Sequence, residues 1–339
     1  MPKRKILVSG GTGFVGKFTV PLLQEHFEVD VISRKPGSEV QGDLTLWNGG
    51  LDLESLKKKN YDVFLHMAGL YDLEANEVDC NQHNVNALGV ALKVASELNV
   101  KTFVNTSTVA AAINSPLRLV KPYDLQLTKS FPDAYSLSKA NGEELLKNWN
   151  GSFKKINLRL GVLIGDSQIG KIDRLDGPYA AIQAFRKLKK VLEKFPTALP
   201  LPGKEQSRLP LVPVDMAAFA ITQFCLWGLK EELQDYQSFH ITPEQGASVK
   251  EVYEWILKGL DISHRGIYLV DVLGESLLIK LTHSLAGLPK EQLYYMLNFP
   301  NYDSSETEEV LGKNWCPEFS EYQETLWSGY EAFISNRRD

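Results

Sequence analysis

The sequence predicts an α/β fold: a doubly wound parallel sheet followed by a smaller, mainly helical C-terminal lobe. Two observations carry that expectation. Short β-branched and apolar runs alternate with helical patterns through the first half, and a glycine-rich turn follows the first of those runs. Strands that are apolar almost without interruption belong to sheets covered on both faces.

The elements follow in order. "KILVS" (5–9) reads as the first strand, 14–26 as a helix, and "EVDVIS" (28–33) and "YDVFLHMA" (61–68) as strands. A helix over 84–99, the strand "KTFVNTS" (101–107), a helix over 134–149 and the strand "KKINLRLGVLI" (154–164) continue the pattern. After about residue 165 the alternation loosens into a lysine-rich helix (178–194), a Pro-rich loop "FPTALPLPGKE" (195–205), a short strand "RLPLVPV" (208–214) and a helix from Asp215. A strand "SFHIT" (238–242) and helices near 248–260, 274–286, 290–297 and 318–335 complete the chain. The sheet domain is therefore expected over 1–165 with returning segments near 205–242. The lobe is expected over 166–339, interleaved with the sheet.

The composition narrows the function. With 339 residues, 43% hydrophobic and 23% charged, and a net charge of −5, the chain fits a soluble globular protein. It does not fit a broad nucleic-acid or anionic-membrane surface, so the expected partner is a small molecule. In "MPKRKILVSGG" the apolar run spans only Ile6–Val8, shorter than the roughly 7–15 residues of a secretory core. "MAAFAITQFCLWGL" (216–229) falls short of the ~20 apolar residues of an integral membrane segment. Cys80, Cys225 and Cys316 are widely spaced, and the six histidines lack ligand spacing. Neither a disulfide framework nor a metal site is expected, and the expected location is the cytoplasm.

"ILVSGGTGFVG" places Gly10, Gly13 and Gly16 where a strand turns into a helix. Such a turn brings backbone close to a pyrophosphate and offers it free helix amides, here those around Phe14, Val15 and Gly16. A packing turn would need only part of this pattern. At the end of the second strand, Arg34 and Lys35 stand where a carboxylate would hold the ribose 2′-hydroxyl of NAD. Two cations suit the 2′-phosphate of NADP instead, although a basic surface turn reads the same way and NAD stays open.

The chemical candidates lie further along. Among 13 tyrosines, only Tyr135 in "DAYSLSKANGEELL" has a lysine, Lys139, four residues on. One helical turn puts both on one face, where a cation favours the phenolate of an otherwise weak acid–base group. "KTFVNTSTVAA" ends a strand in the hydroxyls of Thr106, Ser107 and Thr108, at the sheet edge where ligands bind in doubly wound folds.

The G-x-x-G-x-x-G spacing followed by Y-x-x-x-K resembles the extended branch of the short-chain dehydrogenase/reductase superfamily, a Rossmann fold. The resemblance runs from about residue 5 to 330. It implies Tyr135 as general acid or base, Lys139 as its electrostatic partner and ribose ligand, and Thr108 as the catalytic hydroxyl with Ser107 in support. It further implies Asn86, with Gly89, on the helix 84–99, Asp43 and Leu44 beside the adenine, and Met67, Ala68 and Gly69 after the fourth strand. Arg159 with Gly165, Asp215 and the closing "VLG" (310–312) match further family elements.

The implied activity is NADP-dependent hydride transfer between nicotinamide and a carbonyl or acyl substrate. Val109 and Ala110 replace the Asp-Glu pair that sugar dehydratases carry after the catalytic Thr. Pro213 and "IGDSQIGKIDRLDGPY" (164–179) lean toward the thioester and fatty-acyl reductase-like members. Arg208, where sugar-nucleotide enzymes keep a phosphate-binding arginine, keeps an epimerase with retained NAD open. A non-catalytic NADP-binding module is the third reading, and a homodimer through the helices 84–99 and 134–149 is compatible with the pattern.

Overall fold

The computed structural model describes residues 3–124, 130–194, 197–230, 235–270 and 290–337. Its centre is a seven-stranded parallel sheet: β1 (Arg4–Ser9), β2 (Phe27–Ser33), β3 (Val40–Gln41), β4 (Val63–His66), β5 (Thr102–Thr108), β6 (Lys154–Leu160) and β7 (Tyr236–Ile241). The strand order is β7-β6-β5-β4-β1-β2-β3. The order reverses at β1, which pairs with β2 on one side and β4 on the other. A ligand crevice opens at such a switch point, beyond the carboxyl ends of the strands.

The unbroken apolar runs have the expected cause. Ile6, Leu7, Val8, Val63, Phe64 and Leu65 have no exposed surface, since helices cover both faces of the sheet. One face carries the helix Phe14–His26 packed with Val214–Trp227, and the other carries Ala87–Glu97 and Ala134–Asn148. The helix Ala134–Asn148 begins where the Asp133 carboxylate accepts the Ser136 amide at 2.7 Å, and it approaches the preceding helical segment closely at Gly142.

Two strand expectations and one loop expectation are corrected. "KKINLRLGVLI" breaks at Gly161, where a side chain would collide with the Pro210 carbonyl, and Val162–Ile164 leaves the sheet to pair with Leu211–Pro213. "RLPLVPV" likewise divides at Pro210 into Arg208–Leu209 and Leu211–Pro213. Within the stretch read as a Pro-rich loop, Leu199–Pro202 is a strand paired in parallel with Ile267–Val270. Leu199 and Leu201 are buried while Pro200 and Pro202 alternate with them, a pattern a two-stranded edge tolerates because proline withholds its donor only on the unpaired side.

The lobe helices Pro178–Leu192, Val249–Gly259, Lys290–Asn298 and Phe319–Ser335 correspond to expected ones; the expected helix over 274–286 lies outside the described residues. A short helix, Ser305–Leu311, was not expected. Among the described residues, no helix is long and apolar enough to cross a membrane.

Candidate active site

At the carboxyl ends of β1, β4, β5 and β6 lies a cavity of about 320 Å³, walled further by lobe helices. The glycine turn forms its floor: Gly10, Gly13, Phe14, Val15 and Gly16 line it. Gly10 is left-handed (φ +77°), and a side chain there would lie 2.5 Å from the backbone of Met67 and Ala68. The turn thus lies directly on the segment after β4, leaving room for a flat ligand group above. Gly13 caps the helix Phe14–His26 without a side-chain hydrogen bond, and no acid occupies its first turn. Its amides are therefore free for an anion.

Tyr135, Lys139, Thr108, Ser107 and Thr106 converge on the same cavity, with Met67 and Gly69 opposite. The Lys139 ammonium donates to the Thr106 carbonyl at 3.3 Å. Burial draws its pKa down to about 8, and the Glu143 carboxylate works against that shift. Burial raises the Tyr135 phenol well above the ordinary tyrosine range; a hydrogen bond with Thr108 and the nearby Arg174 guanidinium lower it, while Asp133 and Cys80 raise it.

Two buried assemblies support this surface. Ser107 lines the cavity, and its hydroxyl donates to Glu143 behind it. Glu143 is also held by Arg159, whose Nη2 lies 2.8 Å from Oε2, and both residues are about 1% exposed. Arg159 Nη1 points to His240 Nε2 at 3.1 Å, and His240 Nδ1 lies 2.9 Å from the Asp303 carbonyl. Burial, with Arg159 adding repulsion, draws the His240 pKa down to about 3, so the ring is neutral, donating from Nδ1 and accepting at Nε2. His66, packed at the end of β4, is likewise drawn down to about 3 by burial and by Lys139, with Nδ1 2.8 Å from the Ser9 hydroxyl.

The asparagine expectation changes. Asn86 is exposed and its amide donates to Gln82. Asn84 instead reaches the site: its Oδ1 accepts the Leu70 amide at 2.8 Å, and its Nδ2 donates to the Leu70 carbonyl at 3.1 Å and to Ser138 Oγ at 2.9 Å. The cause is a π-helical turn over Asn81–Asn86, whose extra residue rotates the helix face. Asn84 thereby clamps the segment after β4 to the helix bearing Tyr135. A side chain on Gly69 would lie 2.9 Å from Asn84 Oδ1 and 3.3 Å from Lys139 Nζ.

The other expected residues lie apart from the cavity. Arg34 and Lys35 are exposed just beyond β2. Asp43 accepts from the amide and hydroxyl of Thr45, and against the upward pull of burial these bonds and Arg34 hold its carboxyl low. Leu44 is buried in the core cluster on that side. Arg208 turns its guanidinium to the carbonyls of Glu205 and Ser207. Among the described residues, no group of His, Cys, Asp and Glu could hold a metal ion.

The sequence reading passed over Asn84, Glu143, Tyr71 and Arg174. Glu143 had a signal, standing four residues after Lys139 as Lys139 does after Tyr135. Arg174 stands in the connector 164–179 that the resemblance marks, though no spacing singles it out, and Tyr71 carries no signal.

Comparison with known proteins places this geometry. The model of an NAD-binding family described as male sterility protein matches residues 37–221. The terminal R domain from the myxalamid PKS-NRPS biosynthetic pathway superposes with a TM-score of 0.77 at 19% identity, over 99% of this chain and 92% of that one. A thiolation-reductase di-domain from an archaeal non-ribosomal peptide synthetase gives 0.73 at 17% identity, over 99% of this chain and 76% of that one. A UDP-galactose 4-epimerase gives 0.65 at 16% identity, over 97% and 99% of the two chains. At these identities the likeness is one of fold. No curated protein matches the sequence.

Proposed function

Because the chain belongs to the male sterility protein family, within the extended short-chain dehydrogenase/reductase superfamily, we propose that it is an NADP-dependent reductase of carbonyl or acyl substrates. One observation carries this reading: a single cavity joins the glycine turn to Tyr135, Lys139 and Thr108. The glycine floor and free helix amides fit a dinucleotide pyrophosphate, and the exposed Arg34 and Lys35 fit a 2′-phosphate. Bound nicotinamide would supply the hydride.

The protein's own part is proton transfer and orientation. Tyr135, protonated at neutral pH, donates its phenolic proton to the substrate oxygen as the carbon is reduced. Thr108 hydrogen-bonds the same oxygen and polarises it. Lys139, cationic below about pH 8, would hold the ribose hydroxyls of the cofactor and support the phenolate that forms. The similar R domain and thiolation-reductase support a thioester or the derived aldehyde as substrate class. Arg208, which favours a sugar nucleotide, hydrogen-bonds the carbonyls of Glu205 and Ser207 in its own turn and lies outside the cavity lining, which supports the reductase over the epimerase.

The test is label transfer. With NADPH deuterated at nicotinamide C4 and octanal as acceptor, octanol should carry one deuterium on C1 by mass spectrometry. Absence of label from both C4 diastereomers, with octanal and octanoyl-coenzyme A alike, overturns the reading.

A further inference from the structure

The connector between the strand Val162–Ile164 and the helix Pro178–Leu192 carries an arginine with an unusual set of contacts. The Arg174 guanidinium lies over the ring of Tyr71, 4.7 Å from its centroid, and donates from Nη1 to the Tyr71 carbonyl at 3.3 Å. Asp176, two residues on, steadies it from Nε at 3.3 Å. The Tyr71 ring in turn meets Tyr135 edge to face, with centroids 5.2 Å apart and planes at 89°. All four side chains line the cavity.

Each contact has a physical consequence. A guanidinium over an aromatic face is held by the ring quadrupole, and an edge-to-face pair fixes the angle between its rings. The stack Arg174–Tyr71–Tyr135 therefore ties the segment after β4 to the connector across the cavity mouth. The connector's root is firm: Gly165 donates to the Tyr179 hydroxyl at 3.0 Å, and Ser167 Oγ donates to Asp215 at 2.6 Å. A strap anchored at its root and closed by a planar cation presses an aromatic wall against the phenol and places a positive charge near it.

We propose that Arg174 is a positioning residue for Tyr135: through the Tyr71 ring it orients the phenol, and it holds the connector's positive charge on that side of the cavity. This inference rests on the acid–base reading of Tyr135 given above. The groups facing Tyr135 are otherwise Asp133 at its helix start, Cys80 from the helix Glu77–Cys80, Thr108 at the end of β5, Lys139 a turn on, and Tyr295 of the lobe, whose hydroxyl donates to Asp133 at 2.8 Å. Asp133 and Cys80 disfavour the phenolate, and Arg174 with Thr108 opposes them.

The experiment is octanol oxidation with NADP⁺ below about pH 8, where Lys139 keeps its charge; Tyr135 must first lose its proton, so the rate rises with pH toward its pKa. Removing a nearby cation raises that pKa. In Arg174→Gln the rising limb of kcat should move up by about one pH unit. Arg174→Lys, which keeps charge but loses the planar stack, should restore the limb and still lose several-fold in kcat, with KM for NADP⁺ unchanged in both. A limb in the same place in wild type and Arg174→Gln overturns the proposal, as does an Arg174→Lys variant that behaves like Arg174→Gln. If Tyr135→Phe oxidises octanol as fast as wild type, the acid–base reading itself has failed. Loss in Tyr135→Phe with an unmoved limb in Arg174→Gln rejects this inference alone.

Discussion

Lys139 shows how burial and charge divide one side chain's behaviour. Desolvation lowers its proton affinity and Glu143 restores part of it, leaving a pKa of about 8. Tyr135 is pushed the other way, so the first group to lose its proton as pH rises is the lysine. In the reducing direction the rate should be flat below about pH 8 and fall as Lys139 becomes neutral above it. Lys139→Arg, charged throughout this range, should retain activity at pH 9 relative to pH 7; a wild-type profile still flat at pH 9 would contradict the assignment. At the far side of the crevice Arg34 and Lys35 face solvent, with Arg34 close enough to lower the Asp43 carboxyl. Replacing both with alanine should weaken NADPH binding by about tenfold or more while leaving NADH nearly unchanged, measured by cofactor fluorescence. Equal losses for the two cofactors would count against a 2′-phosphate contact.

At the level of elements, the π-helical turn Asn81–Asn86 decides which asparagine reaches the segment after β4. Asn84→Ala would leave the Leu70 amide and carbonyl without their side-chain partner and Ser138 Oγ with only its bond to the Tyr135 carbonyl, a loss of about 1–3 kcal/mol in thermal unfolding. Asn86→Ala, on the exposed side, should change stability by no more than about 0.5 kcal/mol. Equal effects would mean that the clamp on the segment after β4 is not formed. The same region marks the boundary of what the sequence discloses. β1, β4 and β5 were legible because burial on both faces demands unbroken apolar runs. The glycine turn and the Tyr135–Lys139 pair were legible because each is a local spacing. Asn84 was hidden because one extra residue in a turn shifts a helix face without changing composition. The Arg174–Tyr71 contact spans 103 residues, and no local pattern encodes it.

In the molecule as a whole, the sheet supplies the nucleotide side of the crevice and the lobe closes the other. Tyr135 belongs to the same apolar cluster as Tyr179, Ile182, Val252 and Phe299, all from the lobe. Lobe packing therefore contributes to desolvating the phenol, which raises its pKa further above neutral. The central claim is that this buried tyrosine is the acid of a hydride-transfer reaction. It is tested most directly by single-turnover NADPH oxidation with octanal at 340 nm, comparing wild type with Tyr135→Phe. The account predicts unchanged NADPH affinity in the variant and a rate at least about a hundredfold lower. A variant that binds NADPH normally and oxidises it at the wild-type rate would contradict it.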